Sequence, residues 1–196
     1  MDEILSEIFS SRVRAAVLGH LLPRPHRAFS LTDLSRLLGL PISSLQHECY
    51  KLQRIGVLTG RRVRNAYLYR PDPSCPVHQT LTRLVVVGLG EATALRAGLE
   101  GVPGLELAFL GRSLPLNGVT SRAPAPLVLV GDVPLEEIDA AQWRAATLLG
   151  LPLDAVEAVY YRPVDWTARV QQGSAYVASL LHGPRTHLVG DDATVR

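Results

Sequence analysis

The feature that most limits how this chain can fold is a change of period at Gly56. Before it, Leu45, Cys49 and Leu52 recur at spacings of four and three, the inner face of an amphipathic helix. After it, Val57-Leu58 and Ala66-Tyr67-Leu68-Tyr69 read as the two arms of a hairpin, and the tip between them carries Arg61, Arg62, Arg64 and Asn65. Upstream, Ile4, Ile8, Val13, Val17 and Leu21 predict one helix over residues 4–22, stopped by Pro23 and Pro25. A second helix, TDLSRLLG, has Ser30 or Thr32 as its cap and Gly39 as its end. A tight Gly-Leu-Pro turn leads into the third, for which Ser43 or Ser44 is a natural cap.

Two short helices joined in this way match the helix-turn-helix pattern, and a basic-tipped hairpin after them is the order of a winged helix. With Leu45, Cys49 and Leu52 turned inward, Ser43, Ser44, Gln46, His47, Tyr50 and Lys51 fall on the outer faces. Short polar side chains early in a helix suit base edges when that end enters the major groove. Arg54 and the wing residues Arg61, Arg62, Arg64 and Asn65 suit backbone phosphates. The stretches CYKLQRIGVL and GRRVRNAYLYRPDP resemble winged-helix regulators of the ArsR/MarR kind, over roughly residues 5–90. That resemblance implies double-stranded DNA as a partner and a homodimer as the working form. The plainer alternative is a solvated helix face and a hairpin whose charges protect an edge.

Charge permits the first reading without deciding it. Residues 1–75 hold eleven Lys/Arg against six Asp/Glu, whereas residues 76–196 hold nine against twelve, so a net charge of +2 conceals a basic and an acidic half. Metal sensing, known among such regulators, needs clustered thiolates or imidazoles. Cys49 sits at a core position, Cys75 stands alone after the wing, and the six histidines are scattered, so no metal site and no cofactor is expected. With two cysteines and an acidic MDEILSEIF start, the cytoplasm is the expected location. No apolar run reaches the roughly 20 residues of a membrane helix.

The proline-rich PDPSCP at 71–76 closes the first segment. Residues 76–101 read as two helical pieces interrupted at Gly88 and Gly90, with Leu81, Leu84, Val85 and Leu89 as an apolar surface for a second copy. The alternative is that this surface packs on the following domain.

From Leu105 apolar strands alternate with acid-starting helices, which predicts a small mixed sheet covered by helices. The whole is therefore α+β: a winged helix over 1–75, linking helices over 76–101 and an α/β domain over 102–196. The motifs AFLGRS, PAPLVLVGD, AVEAVYYRPVDW and LLHGPRTHLVGD resemble the minimal nucleotidyltransferase domain of the DNA polymerase β superfamily, across roughly residues 102–192. Matched residue by residue, Pro124 and Pro126 occupy its two Asp-x-Asp positions, and Glu157 falls near the third carboxylate. Asp132 lies past the strand. Gly111 is kept in the turn, but Arg112 stands where Ser is usual, with Ser113 one place late.

Nucleotidyl transfer needs carboxylates to hold divalent ions, and proline offers no side-chain oxygen. The domain is thus read as catalytically inactive. Its loop still holds Gly111, Arg112, Ser113, Asn117, Gly118 and Arg122, a set able to take an anion such as a nucleotide phosphate. The expected function is DNA binding in transcriptional regulation. An active transferase with an unconventional site, and a protein–protein adaptor, are the alternatives.

Overall fold

The computed structural model describes residues 3–111 and 125–191. The chain is a mixed α and β protein with two separate sheets, of three and four strands. It divides into two compact units, Met1–Ala97 and Gly98–Arg196.

The first unit runs α1 (Glu3–Ile8), α2 (Arg12–Leu21), β1 (Phe29–Ser30), α3 (Leu31–Leu38), α4 (Ile42–Arg54), β2 (Leu58–Val63), β3 (Ala66–Pro71) and α5 (His78–Leu89), and α6 (Glu91–Leu99) carries the division. The single helix expected over 4–22 is two. Ser10 takes a left-handed backbone (φ 49°), and the Ser11 hydroxyl accepts the Arg14 amide 3.2 Å away, so a new helix starts there. The break also rotates the first piece: Leu5 is buried, whereas Ile4 and Ile8, expected inside, face outward.

Ser30 closes β1 and caps α3 at once. Its hydroxyl accepts the Asp33 amide, while the Asp33 carboxylate accepts the Ser30 amide, a reciprocal capping box. α3 ends at left-handed Gly39, and the Ser35 hydroxyl donates to the Leu40 carbonyl at 2.7 Å, tightening the turn into α4. The cap of α4 is Pro41 rather than Ser43 or Ser44; both serines sit inside the first turn. Proline's fixed φ already suits a helix entrance, and the Pro41 carbonyl accepts from Leu45.

Val17, Leu18, Leu21, Phe29, Leu34, Leu45, Cys49, Leu52, Leu58, Tyr69 and Val85 share one core. The sheet order is β1-β3-β2, all antiparallel, with Phe29 opposite Tyr69 and a two-residue turn, Arg64-Asn65, between Val63 and Ala66. α5 belongs to this core. Val85 is fully buried in it and Leu81 and Leu89 pack against it, so most of the apolar face read as a surface for a second copy is interior. The expected interruption at Gly88 does not occur: the helix runs through it to Gly90, and the missing side chain at 88 leaves room for Leu5.

The second unit contains β4 (Leu105–Gly111), β5 (Ala125–Gly131), α7 (Leu135–Leu149), a short 3₁₀ turn (Leu153–Ala155), β6 (Val156–Tyr161), α8 (Pro163–Gln171), α9 (Ala175–His182) and β7 (Arg185–Val189). Its sheet order is β6-β5-β4-β7. β5 and β6 are parallel, as the α7 crossover between them requires; the other pairs are antiparallel. Leu107, Phe109, Val128 and Val130 line one face under Trp166, Val177 and Leu180 of α8 and α9. The alternating residues Ala108, Leu127 and Leu129 are equally buried on the other face, and α7 returns along β6.

Candidate functional site

In the first unit, α4 and the β2–β3 hairpin present the residues singled out from the sequence. Ser43, Gln46, His47, Tyr50 and Arg54 are exposed, and Ser44 and Lys51 are half-buried. Positions 43, 47, 50 and 54 follow one helical stripe. Lys51 is not wholly available to a ligand, since its ammonium lies 3.5 Å from the Glu48 carboxylate.

Glu48 is turned inward. Its side chain is only 10% exposed, and its carboxylate accepts from the Arg14 guanidinium of α2 at 2.9 Å. Arg14 donates as well to the Phe9 carbonyl at the end of α1. A buried carboxylate without a partner is costly; paired, it fixes α4 against α1 and α2. The sequence does carry a hint, because Glu48 lies between the inward Leu45 and Cys49, where an acid needs a cation.

At the hairpin, Arg61, Arg62, Arg64 and Asn65 are all exposed. Arg64 adopts a left-handed backbone (φ 52°) at the turn. Among the described residues, no ion pair engages Arg54, Arg61, Arg62 or Arg64, whereas Arg14, Arg36, Arg83, Arg144 and Arg162 each meet a carboxylate. Strand alternation puts Arg61 and Arg62 on opposite faces of the hairpin. Arg62 stands opposite Tyr67, whose hydroxyl accepts a 2.7 Å hydrogen bond from the Gln53 side-chain amide of α4. Gln53 and Tyr67 were missed in the sequence, although Gln53 lies three residues beyond Tyr50 on the same face.

Cys49 is fully buried, and its thiol is pushed up to about 12 by burial and then by the neighbouring Glu48 charge. It is a neutral core group, and metal ligation requires thiolate. Burial also lowers the His78 imidazole, against a smaller opposing effect of Asp72. Among the described residues no group of three or more His, Cys, Asp and Glu could hold a metal ion. No helix among them is long and apolar enough to cross a membrane.

In the second unit the sheet brings the candidate residues into one row. Pro126 pairs with Glu157 across the parallel strands, and Gly111 pairs with Arg185 on the other side. A Cβ at Gly111 would come within 2.8 Å of the Pro126 ring, so glycine lets the proline lie across β4. Arg185 rests its guanidinium 5.5 Å above the Phe109 ring. The Tyr176 hydroxyl of α9 is raised by burial, then by the Glu157 and Tyr161 charges. Asp132 is exposed beyond β5. Within this row Glu157 is the single carboxylate. Arg112, Ser113, Asn117, Gly118, Arg122 and Pro124 lie outside the described residues.

Compared with known protein families, curated proteins and solved structures, the chain matches none.

Proposed function

We propose that the first unit is a winged helix-turn-helix that binds double-stranded DNA, with α4 in the major groove and the β2–β3 hairpin as its wing. Ser43, Ser44, Gln46, His47 and Tyr50 would meet base edges or phosphates, and Arg54, Arg61, Arg62, Arg64 and Asn65 the backbone, with Lys51 in part held by Glu48. The carrying observation is the set of unpaired guanidiniums at the hairpin and the end of α4, on a unit whose other arginines are partly neutralised. The same charges would also guard the edge strand β2, and duplex binding separates the two readings.

The second unit, on this reading, is a nucleotidyltransferase-like fold without a metal site, because Pro126 stands beside Glu157 where a second carboxylate would be needed. The whole chain acts as a cytoplasmic regulator of transcription. A homodimer would present two α4 helices to half-sites about one helical turn apart. Of the α5 residues considered for that contact, Leu84 is exposed, as is the neighbouring Val87.

The test is a salt series of duplex binding for wild type and for Arg61→Ala/Arg62→Ala/Arg64→Ala, on random and genomic fragments. Loss of three phosphate contacts predicts roughly a 10²–10³-fold drop near 0.1 M salt and a flatter salt dependence, with similar losses on all sequences. Unchanged affinity in the triple variant rules out the wing assignment.

A further inference from the structure

We infer that Tyr67 and Arg62 form a binding site for one backbone phosphodiester at the joint between α4 and the hairpin, with Gln53 as its positioning residue; this rests on the DNA-binding reading above.

The joint is built, not incidental. The Gln53 amide donates to the Tyr67 hydroxyl at 2.7 Å. The Tyr67 ring occupies the space above Gly60, where any Cβ would collide with its ring and hydroxyl. Its edge meets the buried Tyr69 ring with centroids 5.0 Å apart. The ring is thus held on two sides, yet Tyr67 stays 40% exposed.

A phenol has one proton to give and two lone pairs. With one lone pair taken by Gln53, the proton remains to be donated outward. The cross-strand partner of Tyr67 is Arg62, on the same face of the hairpin and without an ion pair among the described residues. A hydroxyl donor beside a guanidinium, with no carboxylate paired to either, suits an acceptor-only anion. A guanine edge also offers only acceptors, N7 and O6, and neutralising single phosphates separates the two.

Position points the same way. The two grooves of a duplex are separated by a single phosphate backbone. When a helix enters one groove and a hairpin flanks the next, that backbone must cross the residues joining them. Gln46, Tyr50 and Gln53 follow one another at spacings of four and three along α4, and the row continues into Tyr67 and Arg62.

The experiment uses the full chain and a duplex that wild type selects from a random pool. Copies of that duplex carry a neutral methylphosphonate at one position each. Wild type should lose about tenfold in affinity at one position or two adjacent ones, the scale of a hydrogen bond to a charged group. Tyr67→Phe, which keeps the ring over Gly60, should bind the unmodified duplex about tenfold more weakly and show a smaller loss at that position than wild type. Arg62→Met should reduce the same positional loss, while leaving the Tyr67 hydroxyl in place. If Tyr67→Phe binds as tightly as wild type, or weakens while every methylphosphonate keeps its wild-type effect, the phosphate site is overturned and Tyr67 is structural. If wild type selects no duplex, the DNA-binding reading itself fails, and this site with it.

Discussion

Both units bring functional candidates to one end of a small sheet, but they differ in how those side chains are neutralised. In the first, the hairpin tip and the end of α4 hold Arg54, Arg61, Arg62 and Arg64 without a carboxylate partner among the described residues, while the buried Glu48 is satisfied by Arg14. In the second, the corresponding row across β7, β4, β5 and β6 is Arg185, Gly111, Pro126 and Glu157, with the guanidinium laid over Phe109 and a ring where a carboxylate could stand. Charge that the fold leaves unneutralised at the surface is available to a ligand. Charge set into packing serves the fold first.

The sharpest way to break this contrast is to place a second carboxylate in the second unit's row. Pro126→Asp should set a second acid beside Glu157, lower the melting temperature in chelator, and recover with Mn²⁺. At a hundredfold excess over Kd the recovery is about 2.7 kcal/mol. Wild type should melt alike with and without Mn²⁺, and stabilisation of wild type by the ion would show that the row already holds a metal.

A smaller effect sharpens the first unit's side. Gln46→Ala should reduce discrimination between a selected and a scrambled duplex by about 2 kcal/mol, roughly thirtyfold, as expected for a lost base contact. The slope of affinity against salt should stay unchanged, because no phosphate charge is involved. An altered slope with intact discrimination would move Gln46 from the bases to the backbone.

The smallest change tests the scaffold that presents α4. Ser30→Ala should cost about 1 kcal/mol in urea unfolding, the usual worth of a helix cap. Asp33 is held below its ordinary 3.8 chiefly by hydrogen bonds from Ser30. A lowered carboxylate stabilises the fold above its unfolded pKa and loses that contribution as pH falls through the folded value. The gap between wild type and Ser30→Ala should therefore be full at pH 6 and narrow below about pH 4. A gap that does not vary with pH would mean that the capping box does not form.

Much of the fold was legible because local rules and tertiary packing agree in it. The three-four spacing of Leu45, Cys49 and Leu52 becomes the inner face of α4, and the apolar runs at 105–111 and 126–131 fall within strands. Failures occur where a local break or a neighbour distant in sequence overrides the period. Ile4 and Ile8 keep helical spacing yet face outward, because Ser10 and Ser11 restart the helix. Leu81, Val85 and Leu89 look like a free apolar face until α5 packs them into the first unit's core.

The candidate site divides in the same manner. Composition and period alone determined that residues 42–71 form a helix and a basic-tipped hairpin, whereas the places of Pro126 and Glu157 in a common motif were implied only by a family resemblance. Only the tertiary structure joined Gln53 to Tyr67, Arg14 to Glu48, and Pro126 to Glu157. Periodicity states which side of an element a residue takes. It carries no information about which element, fourteen or thirty-four residues away, that side will meet.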